Sequence, residues 1–276
     1  MSTNGPGRTL VTGAASGIGL AIAKRVIAAG GMLVMTDHDM ASLSAARERI
    51  AAPAGTIDLV AGDLTNAAEV QKVVTAAGRI DGLVNCAGIY PVTPLMDLPV
   101  DEWDSVLAIN LRAPFLVTQA TARCMIANGV HGAIVNISST ASMLARPGIA
   151  HYGASKAGLN QLTRILAVEL AASNIRVNAI LPGVIATERV TGSVTSTAAR
   201  AELDAKVARI PMQRLGTPEE IAELAVFLLS DASSYTTGGL FTVDGGFSLG
   251  IARYSAGRST LKANIAPMDE GIWIIA

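Results

Sequence analysis

Apolar positions along this chain fall into two alternating rhythms. Short runs of apolar and β-branched residues read as strands at Thr9–Val11, Met32–Met35, Ile57–Val60, Leu83–Val84, Ala133–Ile137, Ile175–Ile180 and Leu240–Val243. Longer stretches with helical spacing lie between them. These are Ile18–Ala29 (closed by Gly30-Gly31), Met40–Ile50, Ala67–Ala76, a long helix Trp103–Ala127, a second long helix His151–Ala171, and Pro218–Leu229. Strands alternating with helices imply parallel β-α-β units, whose right-handed crossovers put helices on both faces of one sheet. The predicted fold is α/β, a doubly wound parallel sheet in a three-layer sandwich, with ligands at the carboxyl ends of the strands. It is a single domain over residues 1–250. The Thr-, Ser- and Gly-rich segment Thr187–Ala199 reads as a mobile loop. Residues 251–276 have no place in the alternation and read as a C-terminal extension. Its Ile272, Trp273, Ile274 and Ile275 either fray or pack on the chain or a neighbour.

Charge narrows the partners. With 21 basic and 22 acidic residues there is no basic surplus, so neither nucleic acid nor an anionic membrane is expected. Half of the residues are hydrophobic and only 16% are charged, little polar surface for a lone globule, which favours buried subunit contacts. Cys86 and Cys124 form no C-x-x-C pair, and His38, His131 and His151 lack ligand spacing. Neither a disulfide framework nor a metal site is expected. No apolar run reaches the ~18 residues of a membrane span, and the N-terminus lacks a basic-then-apolar signal. The expected location is cytoplasmic.

The first strand-to-helix turn reads Thr12-Gly13-Ala14-Ala15-Ser16-Gly17-Ile18-Gly19. Glycine lets the backbone turn sharply and approach a diphosphate, which then sits on the positive helix N-terminus. The spacing is G-x-x-x-G-x-G rather than G-x-G-x-x-G. Asp37 ends the second strand, 18 residues after Gly19, where a carboxylate can accept hydrogen bonds from the adenosine ribose. It would repel a 2′-phosphate, and no Arg or Lys between Gly13 and Gly19 rewards one, so NAD is the expected cofactor of a Rossmann-type fold. His38 beside it reads as a surface residue. Asp63 in Gly62-Asp63-Leu64 and the run Asn85-Cys86-Ala87-Gly88 follow the third and fourth strands. Asp63 could meet the adenine edge, although each could also be turn chemistry.

Tyr152 and Lys156 share a helix face at i and i+4. Interconverting an alcohol and a carbonyl needs one group that can give and take a proton. A phenol with pKa ~10 would have to drop by ~3 units, roughly 4 kcal/mol, to work at neutral pH. A neighbouring Lys⁺ and the positive nicotinamide of NAD⁺ supply that in a dry cleft.

From Arg8 to Gly246 the chain resembles the short-chain dehydrogenases/reductases, in their shorter branch. The likeness rests on TGAASGIG at 12–19, Asp63-Leu64, NCAG at 85–88, Asn110, Ser138-Ser139, YGASK at 152–156, Pro182-Gly183 with Thr187, and VDGG at 243–246. The resemblance implies that Ser139, 13 residues before Tyr152, binds the substrate oxygen, with Ser138 as its nearest competitor. Tyr152 would be the acid/base, and Lys156 would hold the nicotinamide ribose and lower the Tyr152 pKa. Asn110 would kink its helix and anchor a water leading from Lys156. Gly13, Ser16, Gly17, Ile18, Gly19, Asp37, Asp63, Leu64, Asn85, Ala87, Gly88, Pro182, Gly183, Ile185 and Thr187 would surround the cofactor. The second Asn usual in the family is Cys86 here, read as a small buried hydrophobe. Tyr90, Met143, Val184 and the loop Thr187–Ala199 are expected to line a mainly apolar pocket for a small alcohol or carbonyl substrate; Arg146 and Arg189 are isolated candidates for a phosphate or carboxylate contact and read rather as surface residues. The family also implies a homotetramer built on the two long helices. The competing class is a noncatalytic NAD-binding scaffold or sensor on the same fold.

Overall fold

A computed structural model describes residues 5–192 and 195–250. Seven strands form one sheet: β1 (Arg8–Thr12), β2 (Met32–Asp37), β3 (Ile57–Ala61), β4 (Gly82–Asn85), β5 (Ala133–Ile137), β6 (Arg176–Pro182) and β7 (Leu240–Val243). All neighbours pair in parallel, in the order β3-β2-β1-β4-β5-β6-β7. Alternate strand residues point to opposite faces, and each face has its own core. Val11, Leu33, Met35, Val84, Val135 and Ile180 pack on helices α1 (Gly17–Ala28), α2 (Met40–Glu48) and α9 (Pro218–Leu229). Residues of opposite parity in the same strands, Leu10, Val34, Leu83, Ile134 and Val177, pack on α3 (Ala67–Ala77), α5 (Ala113–Ala127) and α6 (Ala150–Leu170). Because both faces are covered, the strands carry apolar residues toward both layers rather than alternating apolar with polar positions.

Local chemistry fixes the helix starts. Asp39 accepts hydrogen bonds from the N–H groups of Ala41 and Ser42 at the head of α2, and Asn66 does the same for Ala68 and Glu69 at α3. Thr217 and Glu220 form a reciprocal capping box at α9, with Pro218 in the first turn. The strand order reverses between β1 and β4, so the connections leave in opposite directions and open a crevice above their carboxyl ends.

Two expectations are corrected. The single long helix over 103–127 is α4 (Val100–Leu107), a π-helical turn (Ala108–Arg112), then α5. Pro114 has no N–H to return to the carbonyl of Asn110, which loosens the α-helical register there. The Asn110 amide takes up backbone bonds of its own, to both the N–H and the carbonyl of Ile89, each at 2.9 Å. The segment read as a mobile loop carries two helices, α7 (Glu188–Gly192) and α8 (Thr197–Val207). Ser196 caps α8 through the N–H of Ala199, and the pairs Arg200–Asp204 and Glu202–Lys206 support its exposed face. The extension 251–276 lies outside the described residues.

Candidate active site

The carboxyl ends of the strands border a cleft of about 1070 Å³. At its floor the Thr12 hydroxyl accepts from the N–H groups of Cys86 (2.9 Å) and Ala87 (3.0 Å), tying the ends of β1 and β4 together. Gly13 sits against that junction with φ of 64°, and a Cβ on it would stand 2.8 Å from the Ala87 Cα. A Cβ on Gly19 would stand 2.1 Å from the Gly13 carbonyl oxygen, so the loop closes onto α1 only without side chains. Ser16 makes no side-chain cap on α1, and no acidic residue occupies the first helical turn. The N-terminal N–H groups there are left for an anion.

Asp37, at the end of β2, receives the Ala15 N–H at 3.3 Å and both the backbone N–H and the ring Nδ1 of His38. His38 itself is exposed. Asp63 lines the cleft, but its carboxylate accepts from the N–H and hydroxyl of Thr65, which hold it below the usual carboxylate range. Its turn chemistry is real. Ser16, Gly17, Ile18, Leu64, Ala87, Gly88, Pro182, Gly183, Ile185 and Thr187 also border the cleft.

Asn85 does not. Its side chain is buried and donates to Thr118 and Asn136, at 2.9 and 2.8 Å. Strand parity explains this, since Asn85 shares a face with Leu83, which packs toward α3 and α5. The opposite face carries Val84 and then Cys86, which takes the place at the cleft. Burial pushes the Cys86 thiol up to about 12, so it remains protonated and packs as a small hydrophobe.

At the other end of the cleft, α6 and the end of β5 bring Tyr152, Lys156, Ser138 and Ser139 together. Ser138 donates its hydroxyl to the Lys156 carbonyl and so faces α6. Ser139 caps the short turn Thr140–Ser142 and hydrogen-bonds the Tyr152 phenol. The Lys156 ammonium donates to the Ile137 carbonyl at 2.8 Å and lies 5.8 Å from the centre of the Tyr152 ring. Burial pushes Lys156 down to about 8. Burial pushes the Tyr152 phenol up, with Ser139 the largest opposing influence. The phenol therefore holds its proton at neutral pH. Asn110 is fully buried beneath Gly88 and also donates to Ser155.

The substrate half departs from expectation in two ways. Tyr90 and Val184 line it, but Met143 points to solvent and Leu144 takes its place. The lining is mainly apolar, but Arg146 and Arg189, expected on the surface, border it together with Lys206. Arg146 donates to the Tyr90 hydroxyl, and Arg189 donates to the Tyr90 carbonyl at 3.2 Å. Nothing local in the sequence marks these two arginines, which lie 43 residues apart and meet only through the fold.

Residues 13–248 match the family model described as Enoyl-(Acyl carrier protein) reductase. The chain is 39% identical over 241 residues to the 3-oxoacyl-(acyl-carrier-protein) reductase of Thermotoga maritima, covering 86% of this chain and 96% of that one. It is 39% identical over 244 residues to the D-threitol dehydrogenase of Mycolicibacterium smegmatis, covering 87% and 92%. The crystal structure of a short-chain type dehydrogenase/reductase from Mycobacterium marinum superposes with a TM-score of 0.81 at 34% identity, covering 88% of this chain and 96% of that one.

Proposed function

The chain belongs to the short-chain dehydrogenase/reductase family and is an oxidoreductase, and from that premise we propose that it transfers a hydride between NAD and a secondary alcohol or ketone. The observation that carries the reading is the convergence of Ser139, Tyr152 and Lys156 where the glycine-lined half of the cleft ends. The site suits a dinucleotide. Gly13 and Gly19 leave room a Cβ would fill, the open N-terminus of α1 takes a diphosphate, and the Asp37 carboxylate takes ribose hydroxyls. When bound, the nicotinamide ring supplies the hydride acceptor or donor and, oxidised, a positive charge.

The residues of the chain supply the proton chemistry. Ser139 donates to the substrate oxygen and holds it beside the phenol. In the reducing direction Tyr152 starts protonated, as its burial dictates, and gives its proton to the oxygen that gains charge. In the oxidising direction it must give up that proton first, and the Lys156 ammonium favours the phenolate. Lys156 itself, pushed down to about 8, loses its charge as pH rises through that value. The active assembly is a homotetramer in the cytoplasm, where Cys86 and Cys124 remain free thiols.

Tyr152→Phe keeps the ring and removes only the proton-carrying oxygen. It is expected to lower turnover by roughly 10²–10⁴-fold while NADH binding, followed by fluorescence, stays near the wild-type value. Wild-type turnover in the variant refutes the assignment.

A further inference from the structure

We propose that Arg146 and Arg189 form an oxyanion clamp at the mouth of the substrate half, so that the preferred substrate is a ketone or secondary alcohol whose far end carries a carboxylate or phosphate. The inference rests on the oxidoreductase reading for the reacting end and adds the chemistry of the other end.

Tyr90 is the hinge of the argument. Its ring meets the Tyr152 ring edge-on, with centroids 4.5 Å apart at 82°. The Arg146 guanidinium lies 5.9 Å from the Tyr90 ring centre and donates to its hydroxyl, and Arg189 donates to its backbone carbonyl. One residue therefore holds two guanidiniums on the same cleft, Arg146 at its ring and Arg189 at its backbone. Each contact uses only part of a guanidinium that carries five N–H donors, so donors remain for a ligand.

The acids nearby do not neutralise this pair. Glu188 and Glu202 border the cleft, but Glu188 bonds Arg49 at 2.7 Å and Glu202 bonds Lys206 at 2.7 Å. Arg146 is the smallest of the influences on Glu202. Among the described residues neither Arg146 nor Arg189 lies within ion-pair distance of a carboxylate. Two cations that border one cleft without a carboxylate partner favour an anion there. A polyol or a plain ketone offers no such group.

Three substrate arms test this. The first pairs 4-oxopentanoate and 5-oxohexanoate with their methyl esters, and the second pairs hydroxyacetone phosphate with hydroxyacetone. In either arm the charged member should exceed its neutral partner in kcat/KM by roughly 10–100-fold, the range of one or two charge-assisted hydrogen bonds. Arg146→Gln and Arg189→Gln should each reduce that ratio by about tenfold, chiefly through KM. The lysine variants should keep part of it. The arm that shows the preference identifies carboxylate or phosphate as the group taken. In the third, calorimetry with NADH present compares binding of 4-oxopentanoate and hydroxyacetone phosphate with their neutral partners. Equal use and equal binding of charged and neutral members, or a preference that survives in the double Gln variant, overturns the clamp. If NADH binds and the arginine-dependent anion preference appears in calorimetry but no pair turns over, the clamp stands and the reading of a ketone or secondary alcohol as the reacting group fails.

Discussion

Lys156 is the most expensive residue of the site. A lysine in water keeps its proton to about 10.5, and burial pushes this one down to about 8. Between those values the unfolded chain binds a proton that the folded chain has released, so folded stability rises with pH across that window. The destabilising contribution is complete below pH 8 and gone above 10.5, and amounts to ~3 kcal/mol at most. Lys156→Met is therefore expected to abolish turnover yet melt above the wild type at pH 7, with the gap closing toward pH 10.5. Calorimetric melts at pH 7, 8.5 and 10 check this, and a gap independent of pH contradicts it. Asp37 makes the matching case for cofactor choice. Asp37→Ser removes a ribose acceptor and a charge that repels a 2′-phosphate, so the NADP/NAD ratio of kcat/KM should rise by roughly tenfold or more. A wild-type enzyme that already favours NADP refutes the role given to Asp37. The positions of both residues, at a strand end and in an i, i+4 pair, are local geometry that the sequence carries. Arg146 stands in the sequence only as an isolated cation, since its place at the cleft depends on where Tyr90 lies.

At the scale of elements, the strands and α9 follow their apolar runs closely, Pro218–Leu229 and Leu240–Val243 matching to the residue. The misses have nameable causes. Pro114 stood in the sequence as a sign against one continuous helix over 103–127, and the π turn falls in the residues just before it. In 187–199, Thr, Ser and Gly suggested a loop, although Ser196 is a helix cap and the alanines after it are strong helix formers. That second error had a functional cost, because α8 contributes Glu202, Leu203 and Lys206 to the cleft. The inward side of Asn85 is also written in the sequence. Its parity with Leu83 within β4 already assigned it to the α3/α5 face.

For the whole molecule, α6 serves two masters. Leu159 is fully buried against the sheet side, while Ile165 is 45% and Val168 79% exposed on its outer side, with Phe115 of α5 39% exposed. Apolar groups of this size cost roughly 25 cal/mol per Å² left in water. Burying them between copies is what the homotetramer proposed above would do. Light scattering at micromolar concentration should give four times the chain mass, and a monomer there contradicts the assembly. A subunit interface on α6 would also brace the helix that carries Tyr152 and Lys156.

The sequence by itself determined the fold class, the order of elements, the glycine-lined turn and the spacing of Ser139, Tyr152 and Lys156. Each of these is set by periodicity or by short-range steric and hydrogen-bonding rules, which a linear string encodes directly. Only the tertiary structure decided that Met143 faces solvent while Leu144 enters the cleft, that Ser138 is spent on the Lys156 carbonyl, and that Arg146 and Arg189 converge on Tyr90. Those outcomes depend on how segments distant in the chain approach one another. Side-chain direction at a loop and the charge left unpaired at a cleft are properties of that approach, and no local pattern carries them.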